Sequence, residues 1–363
     1  MQIATYGSMV SGSDALANAI GDAANVRRRL DTLTRQAGDG LISDTYAGLG
    51  NSATASLTLN QSLGQVETWQ ANVDAASGRM ATTQSALSQI SDITSQFFAQ
   101  TNTLTGLDAT AIDTISASAR DALRQVAGLL DSKFGDTYVF AGIYGSVPPV
   151  PSPDSINSSG MVTSITSAVG QLATNGAAAT IASTRATAAS NTAGTSPFDP
   201  AFSQSAAVLA GLRPIVQTGP GSYQPVGIIA SGNADVASSG ASTTGSYIRD
   251  IMRGLATIGA LTSGQASVTG YATLVDDVHT SLGGAITALS DDAGVLGNRQ
   301  AAMTTASARL ADTATALKSR ISDSQDVDMA ATLSNLSAAQ TQLQSSYQLL
   351  GALRGLTLAA FLG

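Results

Sequence analysis

The 363-residue chain contains no cysteine, so it can form neither disulfides nor thiolate metal sites. Aromatic residues make up only 4 % of the sequence, and charged residues make up 12 %, about half the share in an average domain. The chain has one glutamate, Glu67, and two lysines, Lys133 and Lys318. Its helices therefore lack the Glu–Lys pairs that support isolated helices, and we infer that they need a partner surface.

Proline is absent from two long stretches of the chain. All nine prolines lie between Pro148 and Pro225. Proline removes a backbone donor and clashes inside a helix, so this distribution predicts two long helical arms around a non-helical insert. Two long terminal helices seldom form an active site. They are better suited to a subunit whose two ends pack together and then pack against neighbouring subunits.

Basic residues are also scarce, and the net charge is −8 with a pI of about 4.5. The one basic run, Arg27 to Arg29, is typical of a solvated helix face, and nucleic acid is not an expected partner. No apolar run is long enough to span a membrane, and the first residues do not resemble a secretory signal. If the protein leaves the cell, we expect a route without a cleaved signal peptide.

The first arm predicts three helices. Apolar spacing indicates a helix over residues 14–37, which the glycines of Gly38–Asp39–Gly40 end. A long helix begins near Ala53 and a third covers residues 108–134. The seam predicted for the long helix follows steps of three and four residues, through Leu59, Leu63, Val66, Gln70, Val73, Ser77, Met80, Gln84 and Leu87.

The last part of the chain is predicted to be helical again, over residues 247–261 and 271–321 with a weak point at Gly294–Gly297. A final helix begins near Asp326, where aspartates would favour the positive end of the helix dipole. Its predicted packing face has the most regular steps of three and four residues in the chain. It comprises Leu333, Leu336, Gln340, Leu343, Tyr347 and Leu350, and an apolar C-terminal segment follows.

The middle, residues 143–246, has few charges and many Ser, Thr, Gly and Pro residues. Short runs at Met161–Ile165 and Val226–Ile229 favour strands, which predicts a small β-rich domain. A disordered insert is the alternative, and Ala173–Gly194 is the stretch with the weakest ordering signals.

The sequence presents no catalytic constellation, so we expect no enzyme, no cofactor and no metal. The single histidine, His279, has no second ligand nearby in sequence. An acidic segment contains Asp323, Asp326 and Asp328, but it has neither the glycine nor the closing glutamate of an EF-hand calcium loop. We therefore expect these aspartates to cap a helix. No phosphate-binding loop and no nucleophile elbow is present.

Three segments resemble a known family. They are Leu30–Gly40, the segment Asp131–Gly142 with Tyr138, Phe140 and Gly142 in an aromatic-x-Phe-x-Gly turn, and the C-terminal set 327–330, 340–347 and 356–362. Together they resemble the bacterial flagellin superfamily, and within it the branch that joins hook to filament. Gly38–Asp39–Gly40 departs from the Ser-Ser-Gly of filament flagellins, which leaves the exact branch open.

This resemblance implies a mainly α fold, in which a long antiparallel helical bundle or coiled coil is formed by both termini around the β-rich insert. Residues 1–40 would pair with 325–363 as assembly helices, 41–142 with 247–324 would form a helical rod, and 143–246 would face outward. In the family the terminal helices order on assembly, which agrees with arms that need a partner surface.

The function that the resemblance implies is a structural subunit of the extracellular flagellum, exported unfolded through the flagellar type III channel. Expected partners are further copies of the chain, another hook-associated protein, flagellin and an export chaperone. A filament-forming flagellin is the alternative within assembly, and a surface adhesin or enzyme is the alternative class. The expected interface residues are Leu16, Ile20, Val26, Leu30, Leu33, Leu333, Leu336, Leu343, Tyr347, Leu350, Leu353, Leu356 and Phe361.

Overall fold

A computed structural model describes residues 10–106, 109–233 and 235–362, with side chains at 17–106, 110–233 and 235–352. It confirms the mainly α fold. The helices are α1 Val10–Asp39, α2 Ala53–Leu104, α3 Ala109–Leu130, α4 Gly160–Gly170, α5 Leu172–Ala189, α6 Ala206–Gly211, α7 Tyr247–Ala260, α8 Tyr271–Gln325 and α9 Met329–Leu362. Within these ranges, α8 continues through Gly294 and Gly297, so the weak point predicted there is wrong.

The chain divides into two compact units. Unit 1 comprises Met1–Val66 and Asp312–Gly363, and unit 2 comprises Glu67–Ala311. Both boundaries fall inside helices, one in α2 and one in α8. The finer division into rod and outer domain stays a prediction.

The prediction of a β-rich middle is wrong. Residues 143–246 contain α4, α5 and α6, and the only strands described there are β3 Ile215–Gly219 and β4 Ser222–Pro225; the short strands β1 Lys133–Phe134 and β2 Thr137–Tyr138 precede this segment. Met161–Ile165 lies in α4, and the stretch predicted to be least ordered contains most of α5, which is interrupted at Gly176 (φ +74). Both helices occupy the part of the middle between Pro153 and Pro197, which contains no proline.

Within unit 2, α2 and α8 are joined by several side-chain contacts. Ser307 donates a 2.8 Å hydrogen bond to Asp74, and Tyr271 donates one of 3.2 Å to the carbonyl of Leu104. Phe98 stacks on His279 at 4.1 Å between ring centroids. Positions from the start of one helix meet positions from the end of the other, so the two run antiparallel.

The buried row of α2 follows the predicted heptad period but differs at alternate positions. Its members are Val66, Trp69, Val73, Ala76, Met80, Thr83, Leu87 and Ile90. The predicted seam contains Gln70, Ser77 and Gln84, and in the structure the residue before each of them, Trp69, Ala76 or Thr83, is the buried one. Burying the apolar side chains of Trp69 and Ala76 is more favourable than burying the neighbouring amide of Gln70 and hydroxyl of Ser77. This difference in burial free energy decides which residues face the core.

Helix α7 lies in the core of unit 2, with every residue from Tyr247 to Gly259 buried. It packs against α3, α4 and α5. Two of its charged side chains have partners close by: Arg253 forms a buried 2.9 Å ion pair with Asp277, and Asp250 accepts hydrogen bonds from Thr243 and Thr244. Burial raises the pKa of Asp250. These contacts fix the 235–246 segment over the helix.

Candidate subunit interface

The two ends of the described chain pack together in unit 1. Helix α1 packs along α9, and each contributes to the contact one row of buried and half-buried side chains, apolar in α1 and mixed with small hydroxyl residues in α9. In α1 the row follows alternating steps of four and three residues, through Ala19, Ala23, Val26, Leu30 and Leu33. In α9 the row has the same period, through Thr332, Leu336, Ala339, Leu343, Ser346 and Leu350. This is the pattern of a two-helix coiled coil.

A second row lies next to the first on α9 and remains exposed. Leu333 and Tyr347 are 51 % and 52 % exposed, and Gln340 between them is also exposed. These residues recur every seven positions, so they form one line along the helix. Nearby Leu349 is 58 % exposed. The buried row takes the small residues Thr332, Ala339 and Ser346, and the larger side chains beside them face solvent.

The structure places the predicted interface residues in three groups. Val26 and Leu33 are buried between the helices, and Leu30, Leu336, Leu343 and Leu350 are half-buried there. Ile20, Leu333 and Tyr347 are exposed. Leu16, Leu353, Leu356 and Phe361 lie in α1 and α9, but their side chains are outside the described residues. Their role between subunits stays a prediction.

A tight turn, here called the elbow, brings the end of α1 to the start of α9. It comprises residues 39–46 and 321–329. Leu41 and Asp326 form an antiparallel bridge, flanked by hydrogen bonds from Ile42 N to Gln325 O (2.7 Å) and from Val327 N to Gly40 O (2.9 Å). Gly40 has a φ of +73, which permits the sharp end of α1. The elbow was not among the predicted sites, although Gly38–Gly40 predicted its position.

The elbow is acidic and its side chains are accessible. It holds five exposed aspartates, Asp39, Asp44, Asp323, Asp326 and Asp328, and one exposed basic residue, Arg320, directly precedes its second segment. Asp328 accepts a 3.0 Å hydrogen bond from the backbone of Ala331 and so caps α9, as predicted, whereas Asp326 accepts a hydrogen bond from the Ser322 side chain instead. Exposed apolar side chains accompany these charges, namely Ile42, Tyr46 and Met329.

The aromatic-x-Phe-x-Gly segment performs a structural task in unit 2. Phe140 is fully buried, and its carbonyl accepts a 3.0 Å hydrogen bond from Ala230. Lys133 lies 4.4 Å from the centre of the half-buried Tyr138 ring. Gly142 has a φ of +60 and faces the carbonyl of Leu212, so this turn positions the segment that leads into β3.

Nearby, burial raises the pKa of Asp131 to about 6, although its carboxylate accepts a 2.9 Å hydrogen bond from the backbone of Val150.

A surface cleft of about 350 Å³ in unit 2 contains a buried cation, Arg249. Its guanidinium donates to the carbonyls of Ala188 (2.9 Å) and Ser190 (3.1 Å) and to the Asn191 side chain (2.7 Å). Burial lowers its pKa to about 10. Because the carbonyl end of α5 stabilises a positive charge, the arrangement explains Arg249 as a helix cap.

The described ranges contain no group of three or more histidine, aspartate or glutamate side chains arranged for a metal ion. Among the same residues, no helix is both long enough and apolar enough to serve as a membrane span. His279 contacts Phe98 and shares a 2.8 Å hydrogen bond with Thr101, so it belongs to the α2–α8 packing.

Comparison with known proteins gives one match for the C-terminal part of the chain. No curated protein matches it. Residues 280–361 match the family model for the bacterial flagellin C-terminal helical region, a range that covers all of α8 after its first nine residues and nearly all of α9. This match supports the bacterial flagellin family, the same family that both ends of the sequence resemble.

Proposed function

We propose that the protein is a structural subunit of the bacterial flagellum, of the hook-associated protein 3 type, which joins hook to filament by assembly with its own copies. The flagellin match supports a structural flagellar subunit, and flagellins are a structural rather than an enzymatic family. The junction role depends on the resemblance of residues 131–142 to that branch.

The exposed row of α9 is the observation that carries the assembly proposal. Leu333 and Tyr347 stand in line on a helix whose other row is already paired with α1. Burying such side chains against another subunit would contribute about 1.5–3 kcal/mol each. Between Met329 and Leu353 this helix carries no charge, so a neighbour could cover it without removing an ion from water.

The proposed location is outside the cell, in the hook–filament region of the flagellum. Export would use the flagellar type III channel, with the chain unfolded and held by an export chaperone beforehand. The lack of cysteine suits this route, since no disulfide can form before or after passage. The proposed partners are other copies of the chain, another hook-associated protein and flagellin.

The exposed row can be tested with two double variants of the full chain. We expect Leu333→Ser with Tyr347→Ser to abolish swimming and attachment to the flagellum while the protein still reaches the medium. The control, Ile215→Ser with Tyr223→Ser, removes similar exposed side chains from β3 and β4 in unit 2 and should swim normally. Normal swimming by the α9 variant would contradict the assembly proposal.

A filament-forming flagellin is a second candidate, because the match to the flagellin C-terminal helical region applies equally to it. Deleting the gene separates the two. Loss of a junction subunit should leave hooks on the cells and spill flagellin monomers into the medium. Loss of the filament subunit should leave hooks with no flagellin to spill.

A further inference from the structure

Opposite charges occupy two separate parts of unit 1. The outward side of α1 holds three consecutive exposed arginines, Arg27, Arg28 and Arg29, here called the basic cluster. Arg28 hydrogen-bonds to the Asn25 amide, and none of the three forms an ion pair with a described residue. The elbow holds five exposed aspartates, of which Asp39, Asp44 and Asp323 make no described side-chain hydrogen bond.

One copy of the chain does not bring these charges together. Arg29 precedes Asp39 by ten residues of continuous helix, which places them about 15 Å apart along α1. The facing helix offers no alternative partner, since α9 contains one arginine, Arg354, and no acidic residue. The basic cluster is therefore available to another molecule.

We propose that the basic cluster of one copy docks against the acidic elbow of a second copy of this chain, a contact that rests on the proposed function in assembly. The two surfaces match in apolar character as well as in charge. Ile20, 54 % exposed, accompanies the basic cluster, and Ile42, Tyr46 and Met329 accompany the elbow. Because the contact joins different surfaces of the two copies, it is heterologous and can continue into a ring or tube.

A second copy is favoured over other anionic partners because its elbow presents both carboxylates and exposed apolar side chains. The chain carries −8 overall, and the five aspartates of the elbow belong to the same unit as the cluster. The net negative charge repels a nucleic acid, an anionic membrane and a second copy alike, but of the three only the elbow has apolar side chains, Ile42, Tyr46 and Met329, that can pack against Ile20. Exposed ion pairs are individually weak, so the apolar contacts would supply most of the affinity. The ion pairs would fix the axial offset between neighbouring copies at about 15–20 Å, the distance along α1 from the basic cluster to the elbow.

Two reciprocal charge reversals test the contact in full-length protein, expressed in cells that lack the gene. The acidic-face variant carries Arg27→Asp, Arg28→Asp and Arg29→Asp. The basic-elbow variant carries Asp39→Lys, Asp44→Lys and Asp323→Lys, which leaves the capping Asp328 in place. A matched control, Asp92→Lys with Asp276→Lys and Asp291→Lys, changes the net charge equally at exposed sites in unit 2.

We expect each reversed variant alone to reduce the swimming-ring diameter at least tenfold relative to the unmodified chain, with normal amounts of protein in the medium. Co-expression of the two variants should restore swimming, because each face then meets an elbow of opposite charge. A chain that carries both sets should also swim, and the control should swim normally.

Normal swimming by both single variants would overturn the contact. So would a defect that neither co-expression nor the combined chain repairs, and a defect that only the combined chain repairs, which would place the contact within one molecule. If deletion of the gene itself leaves swimming intact, the proposed function fails as well, so the two failures are distinguishable.

Discussion

At the scale of single residues, the clearest constraint is a glycine in the segment that resembles the junction branch. Gly142 combines a φ of +60 with close packing, since a Cβ there would lie 2.3 Å from the Leu212 carbonyl oxygen. That oxygen accepts a 2.9 Å hydrogen bond from the backbone of Ile143, so moving it away from a new side chain would break this hydrogen bond. The backbone conformation and packing of unit 2 therefore explain why this segment has a glycine at position 142.

We expect Gly142→Ala to destabilise unit 2 by about 2 kcal/mol or more, because the αL conformation alone costs an alanine roughly 1–2 kcal/mol before the clash is added. Chemical unfolding followed by the fluorescence of Trp69 would measure the change. Gly128→Ala is the control: Gly128 lies in α3 with open space around it, and alanine should stabilise the helix by up to about 1 kcal/mol. Equal effects from the two substitutions would contradict this account of Gly142.

At the scale of elements, the sequence predicted the existence of the long helices well, because apolar period and missing prolines act over many residues. It was harder to predict which of two neighbouring residues faces the partner helix. In α9 the predicted stripe includes Leu333, Gln340 and Tyr347, whereas the structure buries Thr332 and Ala339 and half-buries Ser346 in their place. Hydrophobicity ranks Leu333 above Thr332, but a close helix pair accommodates small side chains, and the larger ones face solvent.

The middle was mispredicted for a different physical reason. Ser, Thr and Gly weaken helices only modestly, and in α4 and α5 burial outweighs that weakness. Ile165 and Val169 of α4 are fully buried, and the Ser159 side chain accepts a hydrogen bond from Val162 at the helix start. Such tertiary burial is not visible in local composition. The acidic elbow was missed because its aspartates come from segments nearly 280 residues apart in sequence.

A pair of neighbouring substitutions distinguishes the two rows of α9. Ala339 is 4 % exposed and Gln340 is exposed, so the same aspartate can be placed in either row. We expect Ala339→Asp to lower or abolish the unfolding transition of the α1–α9 pair, because it buries an unpaired charge. Gln340→Asp should leave that transition unchanged. Thermal unfolding followed by circular dichroism measures both, and identical curves for the two variants would show that the assignment of the rows is wrong.

At the scale of the whole molecule, the two units differ in what stabilises them. Among the described side chains of unit 1, few large ones are buried, chiefly Val26, Leu33, Leu49 and Val66, and small residues such as Ala23 and Ala339 complete the described core. In unit 2, α7 contributes the fully buried Tyr247, Ile251 and Leu255 to the core, together with the Arg253–Asp277 pair. Since stability follows buried apolar area, unit 1 is expected to open far more readily than unit 2.

Amide hydrogen exchange of the dilute, unassembled chain measures this difference directly. We expect the amides of α1 and α9 to exchange at least about 100-fold faster than those of α7, which corresponds to an opening free energy lower by about 2.7 kcal/mol. After incorporation into the flagellum, α1 and α9 should gain protection while α7 changes little, because only unit 1 carries the proposed contacts. Full protection of α1 and α9 in the solitary molecule would mean that the helix pair is stable by itself. In that case neighbouring copies would add nothing to its order, and the exposed row of α9 would not be required for the ends of the chain to fold.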